Sequence, residues 1–237
     1  MHPAGVTLPM DNPRDADFLV PEIRGAICRG TYNSGLIELL PDAVRSGDRV
    51  LVIGAGLGVL STLAAKSPGI DRVMVLEADA ALVPYLERVH ALNGVGWVQT
   101  LNAAPGCRNR GRGPFFGRRD LRTSSTVPEP AWQRATMVPV VDLELVVADE
   151  EITLIICEAP TFFADILAVI HSGPIERVAI DGGASWPDFA ERDEIVTSLA
   201  RRGFAVKHAG ASILLGREGA FAARRRPQVK RALKTGT

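Results

Sequence analysis

Val50-Leu51-Val52-Ile53-Gly54-Ala55-Gly56-Leu57-Gly58 is the stretch that decides the fold class. Four apolar residues without polar alternation read, with Arg49, as a short strand covered on both faces, the kind found in parallel sheets. Glycines at alternate positions follow, and Val59–Lys66 continues as a helix that stops at Ser67-Pro68-Gly69. Glycine lets the backbone turn sharply and approach a ligand with no Cβ in the way. The helix start behind it presents unpaired N–H groups.

The alternation continues outward from this unit. Arg72–Leu76 reads as a second strand ending at Glu77, Ala80–Leu92 as a helix stopped by Asn93-Gly94, and Trp97–Leu101 as a third strand. Further on come a helix over Val141–Val147, a strand over Ile152–Cys157, and a helix from about Thr161 to Ile170. A strand over Arg177–Ile180 ends at Asp181, and a helix over Phe189–Arg202 follows. Phe204–Lys207 and Ser212–Leu215 form a closing antiparallel hairpin. Upstream, residues 1–20 read as irregular, and Ser34 as the cap of a helix through Leu36, Ile37, Leu39 and Leu40 that Pro41 bends or stops. The expected fold class is α/β, a mainly parallel sheet with a C-terminal antiparallel hairpin. The domain layout expected is an N-terminal segment over 1–46, a main domain over 47–218 and a basic tail over 219–237.

Alternation lapses between Ala103 and Thr136, where Arg108, Arg110, Arg112, Arg118, Arg119, Arg122 and Arg134 gather among glycines and prolines. A stretch of this length reads as a functional or disordered insertion.

Charge and composition narrow the partners. The chain of 237 residues carries 27 basic and 27 acidic residues, but six of the basic ones lie in 219–237, which has no acid. The remainder holds 21 basic against 27 acidic residues. An acidic body is a poor nucleic-acid binder, so no nucleic-acid partner is expected. The uncharged stretch Val50–Ala65 is 16 residues long and holds three glycines, too short and too Gly-rich for a membrane span. Cys28, Cys107 and Cys157 read as free thiols of a cytoplasmic protein. The histidines His2, His90, His171 and His208 show no metal-ligand spacing; His90 reads as a surface or helix-end residue.

Ligands of doubly wound sheets bind beyond the carboxyl ends of the strands, which singles out Gly54–Gly58, Glu77, Asn102, Glu158 and Asp181. Glu77 lies 23 residues after Gly54, where an acid can accept hydrogen bonds from both hydroxyls of a ribose. The pair indicates an adenosine-type ligand. The dinucleotide fingerprint has its third glycine at the sixth position, and here that is Val59. The Gly-x-Gly-x-Gly spacing instead resembles the first motif of S-adenosylmethionine-dependent methyltransferases. A nicotinamide-dependent oxidoreductase is the rival reading, weakened by Val59, by the hairpin ending and by the lack of a Tyr-x-x-x-Lys pair.

Arg29-Gly30-Thr31-Tyr32, Gly47-Asp48-Arg49-Val50-Leu51-Val52-Ile53-Gly54-Ala55-Gly56, Glu77-Ala78-Asp79 and Asn93-Gly94 are similar to segments of the FkbM family of methyltransferases. Phe116 through Ser125, followed by Val138-Pro139-Val140-Val141-Asp142-Leu143, resembles that family's central region, so the likeness covers about residues 25–185. It implies a Rossmann-like class I methyltransferase fold, S-adenosyl-L-methionine as cofactor, and O-methylation of a sugar or natural-product hydroxyl. The family's Asp-x-Glu-Gly-Ala-Glu run departs here to Ile156-Cys157-Glu158-Ala159-Pro160-Thr161: Cys157 stands for the first acid, Glu158 is kept, and the Gly-Ala-Glu portion is lost. That departure admits a third reading, a non-catalytic binding module on the same fold.

The expected cofactor contacts are Tyr32, Gly54, Ala55, Gly56, Gly58, Glu77, Ala78 and Asn102. Glu158 and Asp181 are the candidates for catalysis, each balanced against a plain helix-start or turn acid. Arg118, Arg119 and Arg122 are the candidates for holding a small anionic acceptor.

Overall fold

The computed structural model describes residues 1–106, 111–118, 121, 124–126, 128, 132–171, 173–181, 196–201, 203–217 and 221. Strand β1 (Arg49–Ile53) lies deep in it, with Val50 through Ile53 fully buried. Leu51 and Ile53 enter one apolar cluster and Val50 and Val52 another. Burial on both faces is why the sequence shows an unbroken apolar run there.

Around β1 the sheet runs in the order β3 (Gln99–Asn102), β2 (Arg72–Glu77), β1, β7 (Leu154–Cys157), β8 (Arg177–Ile180), β10 (Ser212–Arg217) and β9 (Phe204–Ala209). Its first five strands are parallel, and β10 runs antiparallel to both neighbours. The chain moves from β1 out to β3 and then returns to β7 on the other side of β1. The strand order therefore reverses between β1 and β7, the point where such sheets open a crevice. One face is covered by α2 (Ser34–Ala43), α3 (Val59–Ala65) and α4 (Val83–Leu92). The other is covered by α5 (Leu143–Asp149), α6 (Phe163–Val169) and Leu199 of a helical stretch over 196–201. This is the Rossmann-like class I methyltransferase arrangement, with the terminal hairpin in the expected place.

Several elements differ from the sequence reading. Helix α1 (Pro21–Arg29) was not foreseen, although its signals are present: Pro21 at the start, Glu22 in the first turn, Arg29 in the last, and Gly30 in a left-handed cap with φ 70°. Residues before it contain only a short 3-10 turn at Pro13–Asp15, yet they are not loose. Val6, Leu8, Phe18 and Leu19 bury themselves with Ile23 and Ile27 against Val59, Leu82, Tyr85 and Val89. Ser34 opens α2 rather than capping it. The cap position falls to Asn33, whose φ of 55° sends its amide elsewhere. Pro41 stays within α2, which runs on to Ala43. His90 is buried, not superficial, and its Nε2 meets the Ser61 hydroxyl at 2.9 Å.

The Arg-rich segment contains a second sheet. Strands β4 (Ala104–Gly106), β5 (Gly111–Gly117) and β6 (Arg134–Asp142) order as β4-β6-β5, with β6 parallel to β4 and antiparallel to β5. Of β5 and β6, Phe115 and Val138 enter the apolar cluster of the main sheet and Val141 packs against it. Most other positions are glycine, proline or half-exposed, so no period-two signal is written in the sequence. Pairing of Val141 and Asp142 with β4 delays α5 until Leu143, and the Asp142 carboxylate then caps it by accepting the Glu144 N–H at 3.0 Å. Strand β3 starts at Gln99 rather than Trp97, and β7 at Leu154 rather than Ile152. Part of the helix expected over Phe189–Arg202, and the tail beyond Gly219 apart from Phe221, lie outside the described residues. Among the described residues, no helix is long and apolar enough to cross a membrane.

Candidate active site

At the carboxyl ends of β2, β1 and β7 the strands open into a cleft. Its floor is the glycine turn. Gly54 and Gly56 adopt φ of 67° and 50°, and a Cβ on either would collide: 2.7 Å from the Ala159 Cβ at Gly54, and 2.7 Å from the Tyr32 hydroxyl at Gly56. Only glycine satisfies both the left-handed backbone and that close approach. The Leu57 N–H donates to the Tyr32 hydroxyl at 3.2 Å, so Tyr32 closes one end of the turn from the segment between α1 and α2. Tyr32, Gly54, Gly56, Glu77 and Ala78 all line the cleft.

Two buried carboxylates flank the turn. Glu77, at the end of β2, is 5% exposed and accepts the Asp79 N–H at 2.8 Å. Burial pushes its carboxyl up to about 7; the N–H groups of Asp79, Gly56 and Ala55 pull the other way, and the Asp79 charge adds to the rise. Glu158, just past β7, is also 5% exposed. Its Oε2 accepts the Asn33 amide at 2.6 Å, while Oε1 has no hydrogen-bond partner among the described residues. Burial holds this carboxyl well above the usual range, helped by the charges of Asp181 and Glu77 and opposed by the Asn33 hydrogen bond. Asp79 is the third acid in the lining, and it pairs with Arg134 of β6. Among the described residues, no basic side chain lines the cleft.

The remaining expected residues are placed differently. Ala55 is buried under the turn, and Gly58 starts α3 against Leu86; neither lines the cleft. The Asn102 amide donates to the Glu77 and Ala78 carbonyls at 2.9 and 3.1 Å, so it braces the strand end from behind the cleft wall. The Asp181 carboxylate accepts the Ser212 hydroxyl at 3.0 Å and stands outside the lining. Cys157 is turned into the core, and burial pushes its thiol up to about 12, which leaves no thiolate for nucleophilic work. Arg118 borders a neighbouring depression together with Phe18, Val20, Gln133 and Arg134, and Leu121 is common to both cavities. Arg119 and Arg122 lie outside the described residues.

The Arg-rich insertion was expected as a lid on the substrate side, but the residues that roof the cleft carried no individual mark in the sequence. Pro105 and Phe115 of the second sheet, Leu121 and Ser124 beyond it, Ala103 just before it and Phe162 before α6 add to the lining. Phe115 carried no signal, because its strand was not legible. Asn33 stands beside Tyr32 and Asp79 two residues after Glu77, so both adjoined motifs already singled out. Among the described residues, no group of His, Cys, Asp and Glu is placed to hold a metal ion.

No family model and no curated protein sequence matches the chain. Among solved structures it is similar to the ribosomal protein L11 methylase of Lactobacillus delbrueckii subsp. bulgaricus, at 17% identity and a TM-score of 0.47 over 77% of this chain and 76% of that one. It is similar also to the precorrin-6y C5,15-methyltransferase of Geobacter metallireducens, at 11% identity and a TM-score of 0.46 over 77% and 87% of the two chains. A SAM-dependent methyltransferase of Aquifex aeolicus aligns at 15% identity and a TM-score of 0.40 over 86% and 92%. The class of fold follows from the strand order and its reversal beside β1.

Proposed function

We propose that this chain is an S-adenosyl-L-methionine-dependent methyltransferase acting on a small anionic acceptor, a sugar or natural-product hydroxyl of the FkbM type. The observation that carries the reading is the acidity of the cleft: Glu77 and Glu158 line it with no cation beside them among the described residues, and Asp79 next to them is paired with Arg134, which does not itself line it. A nicotinamide dinucleotide would bring a pyrophosphate against the turn that Glu158 overhangs. A sulfonium amino acid brings positive charge to the same place. Opposite charges attract strongly in a partly buried cleft and like charges repel, so the electrostatics favour the cationic ligand over the dinucleotide.

The residues present fit such a ligand. Glu77 sits at the second strand's end, where its carboxylate can accept both ribose hydroxyls, and Gly54 and Gly56 leave the turn open to the methionine side. Ala78, Leu82, Ala103 and Phe115 supply apolar walls for a flat ring. When bound, the cofactor supplies an electrophilic methyl group. The chain's part is to align an acceptor with that methyl and exclude water, which can account for much of the rate. The depression bordered by Arg118 and Arg134 adjoins the cleft at Leu121, so an anionic acceptor entering there would point its reacting end inward. Arg119 and Arg122 as further anion contacts belong to the same proposal. A small acceptor rather than nucleic acid is favoured by the acidic balance of residues 1–218.

Calorimetric titration with S-adenosylmethionine, S-adenosylhomocysteine and NAD tests the reading. Binding of the first two and not of NAD is expected. A folded sample that ignores both adenosyl ligands refutes it. A screen of phosphorylated sugars, neutral glycosides and an RNA oligonucleotide then identifies the acceptor class.

A further inference from the structure

The group left unexplained in the cleft is the second oxygen of Glu158. It is a buried carboxylate with one oxygen held by Asn33 and the other without a partner among the described residues. Such a group is costly unless something cationic or hydrogen-bonding completes it. Its described surroundings leave Oε1 unmet: Ala159 and Phe162 are apolar, the Tyr32 hydroxyl stands over the same glycine on the Oε2 side and accepts the Leu57 N–H, and the nearby charges of Glu77 and Asp181 are negative. Its place is also specific. Oε2 lies 3.3 Å from where a Cβ on Gly56 would sit, directly over the middle glycine of the turn. Glu77 and Glu158 end the two strands that flank β1, so their backbones stand about 10 Å apart at ordinary strand spacing. A ligand whose ribose rests on Glu77 and whose chain crosses the glycine turn brings its far end to Glu158.

We propose that Glu158, fixed by Asn33, is the seat of the ligand's α-ammonium group, and that its carboxylate binds cofactor rather than abstracting a proton from the acceptor. The inference rests on the adenosyl reading above and names which part of the ligand this residue takes. An ammonium offers three donors on one point charge, enough to meet the orphaned Oε1 and still reach a backbone carbonyl. Asn33 is suited to hold the carboxylate still. It is itself 6% exposed and occupies a left-handed backbone position before α2, a conformation asparagine tolerates better than most residues. Glu158 lines the cleft and not the Arg118 depression, so it faces the turn and not the side from which an acceptor would enter.

The test is a cycle of two proteins and two ligands. Wild type and Glu158→Gln are titrated with S-adenosylhomocysteine and with its deaminated analogue, which lacks only the amino group. Gln keeps an oxygen for Asn33, and a melting curve checks that the variant is folded. The expected result is a loss of tenfold or more in wild-type affinity when the amino group is removed, and a loss of less than twofold in the variant. Glu158→Asp, which keeps the charge on a shorter arm, should recover part of the discrimination. Equal losses in both proteins overturn the inference and leave the adenosyl reading standing. Should the Gln variant not fold, wild type alone decides: equal affinity for the two ligands overturns the proposal. No binding of S-adenosylhomocysteine by wild type overturns the adenosyl reading, and this inference with it.

Discussion

The two edges of the main sheet treat buried charge in opposite ways. At the amino edge Arg177, fully buried at the start of β8, pairs with Asp48 and with Glu176 at 2.6 Å and donates its Nε–H to the Ala43 carbonyl at 2.8 Å. Asp48 in turn accepts the Arg45 N–H at 2.6 Å and the Thr153 hydroxyl at 2.9 Å. Every partner needed to offset desolvation is built into the chain. At the carboxyl edge Glu77 and Glu158 are as deeply buried, yet no cation of the described chain faces them in the cleft. A complete ion network holds strands and helix ends together. An incomplete one stores an unmet demand that a ligand can satisfy.

Breaking the amino-edge network should have the largest effect. Arg177→Met leaves Asp48 buried with its cation removed, and loss of one partner of a buried pair costs about 3–5 kcal/mol. Melting should fall by roughly 6–20 °C for a chain of this size. A fall of only a degree or two would mean that the network is solvated in solution and that the contrast between the edges is false.

The carboxyl edge predicts a pH signature next in size. Glu77 is raised to about 7 from an ordinary 4.5, so between those values the folded state holds a proton that the unfolded state has released. Stability contributed by this group is present below about pH 4.5, declines as pH rises, and is fully lost above about 7; the span is on the order of 3 kcal/mol. Denaturant unfolding of the unliganded protein at intervals from pH 5 to 8 should show that decline, with a shallower slope in Glu77→Gln. Identical slopes would show that Glu77 is not desolvated.

Binding sharpens the comparison further. On the proposed reading, Glu77→Ala would remove charge-assisted hydrogen bonds to the ribose of about 1.5–3 kcal/mol, so S-adenosylhomocysteine affinity should drop roughly ten- to a hundredfold. The fold should survive, and calorimetry reads both. Unchanged affinity would put the ribose elsewhere.

Arg118→Ala should have the smallest effect. The acceptor's KM should rise while cofactor affinity stays within twofold, and raising the salt should weaken the parent enzyme more than the variant, since exposed charges are screened beyond about 8–10 Å at 0.1–0.15 M. Equal salt sensitivity would remove Arg118 from acceptor recognition.

Legibility followed burial. The β1 run, the glycine turn and Glu77 were readable because a two-sided buried strand and a left-handed turn leave strong local marks on residue choice. The same holds for β2, β8 and the closing hairpin. The second sheet was not readable: β5 and β6 are anchored to the main core by Phe115, Val138 and the partly buried Val141, and most of their other positions are free to be glycine, proline or arginine. Asn102 was placed at the right strand end, but the bracing its Nδ2 gives to two backbone carbonyls was not legible, because it is set by atoms 24 and 25 residues away.

The sequence by itself determined the alternation of main-sheet strands and helices from β1 onward, the glycine turn and the acid one strand on, since each element is written in neighbours a few residues apart. Only the tertiary structure decided that Glu158 lies over that turn with Asn33 behind it, a contact across 125 residues of chain. It alone decided that Asp79 is neutralised by Arg134 while Glu158 is left with an unpartnered oxygen. A charge's worth depends on which groups surround it once water has been removed. That is a property of the packed interior, where residues distant in sequence become nearest neighbours.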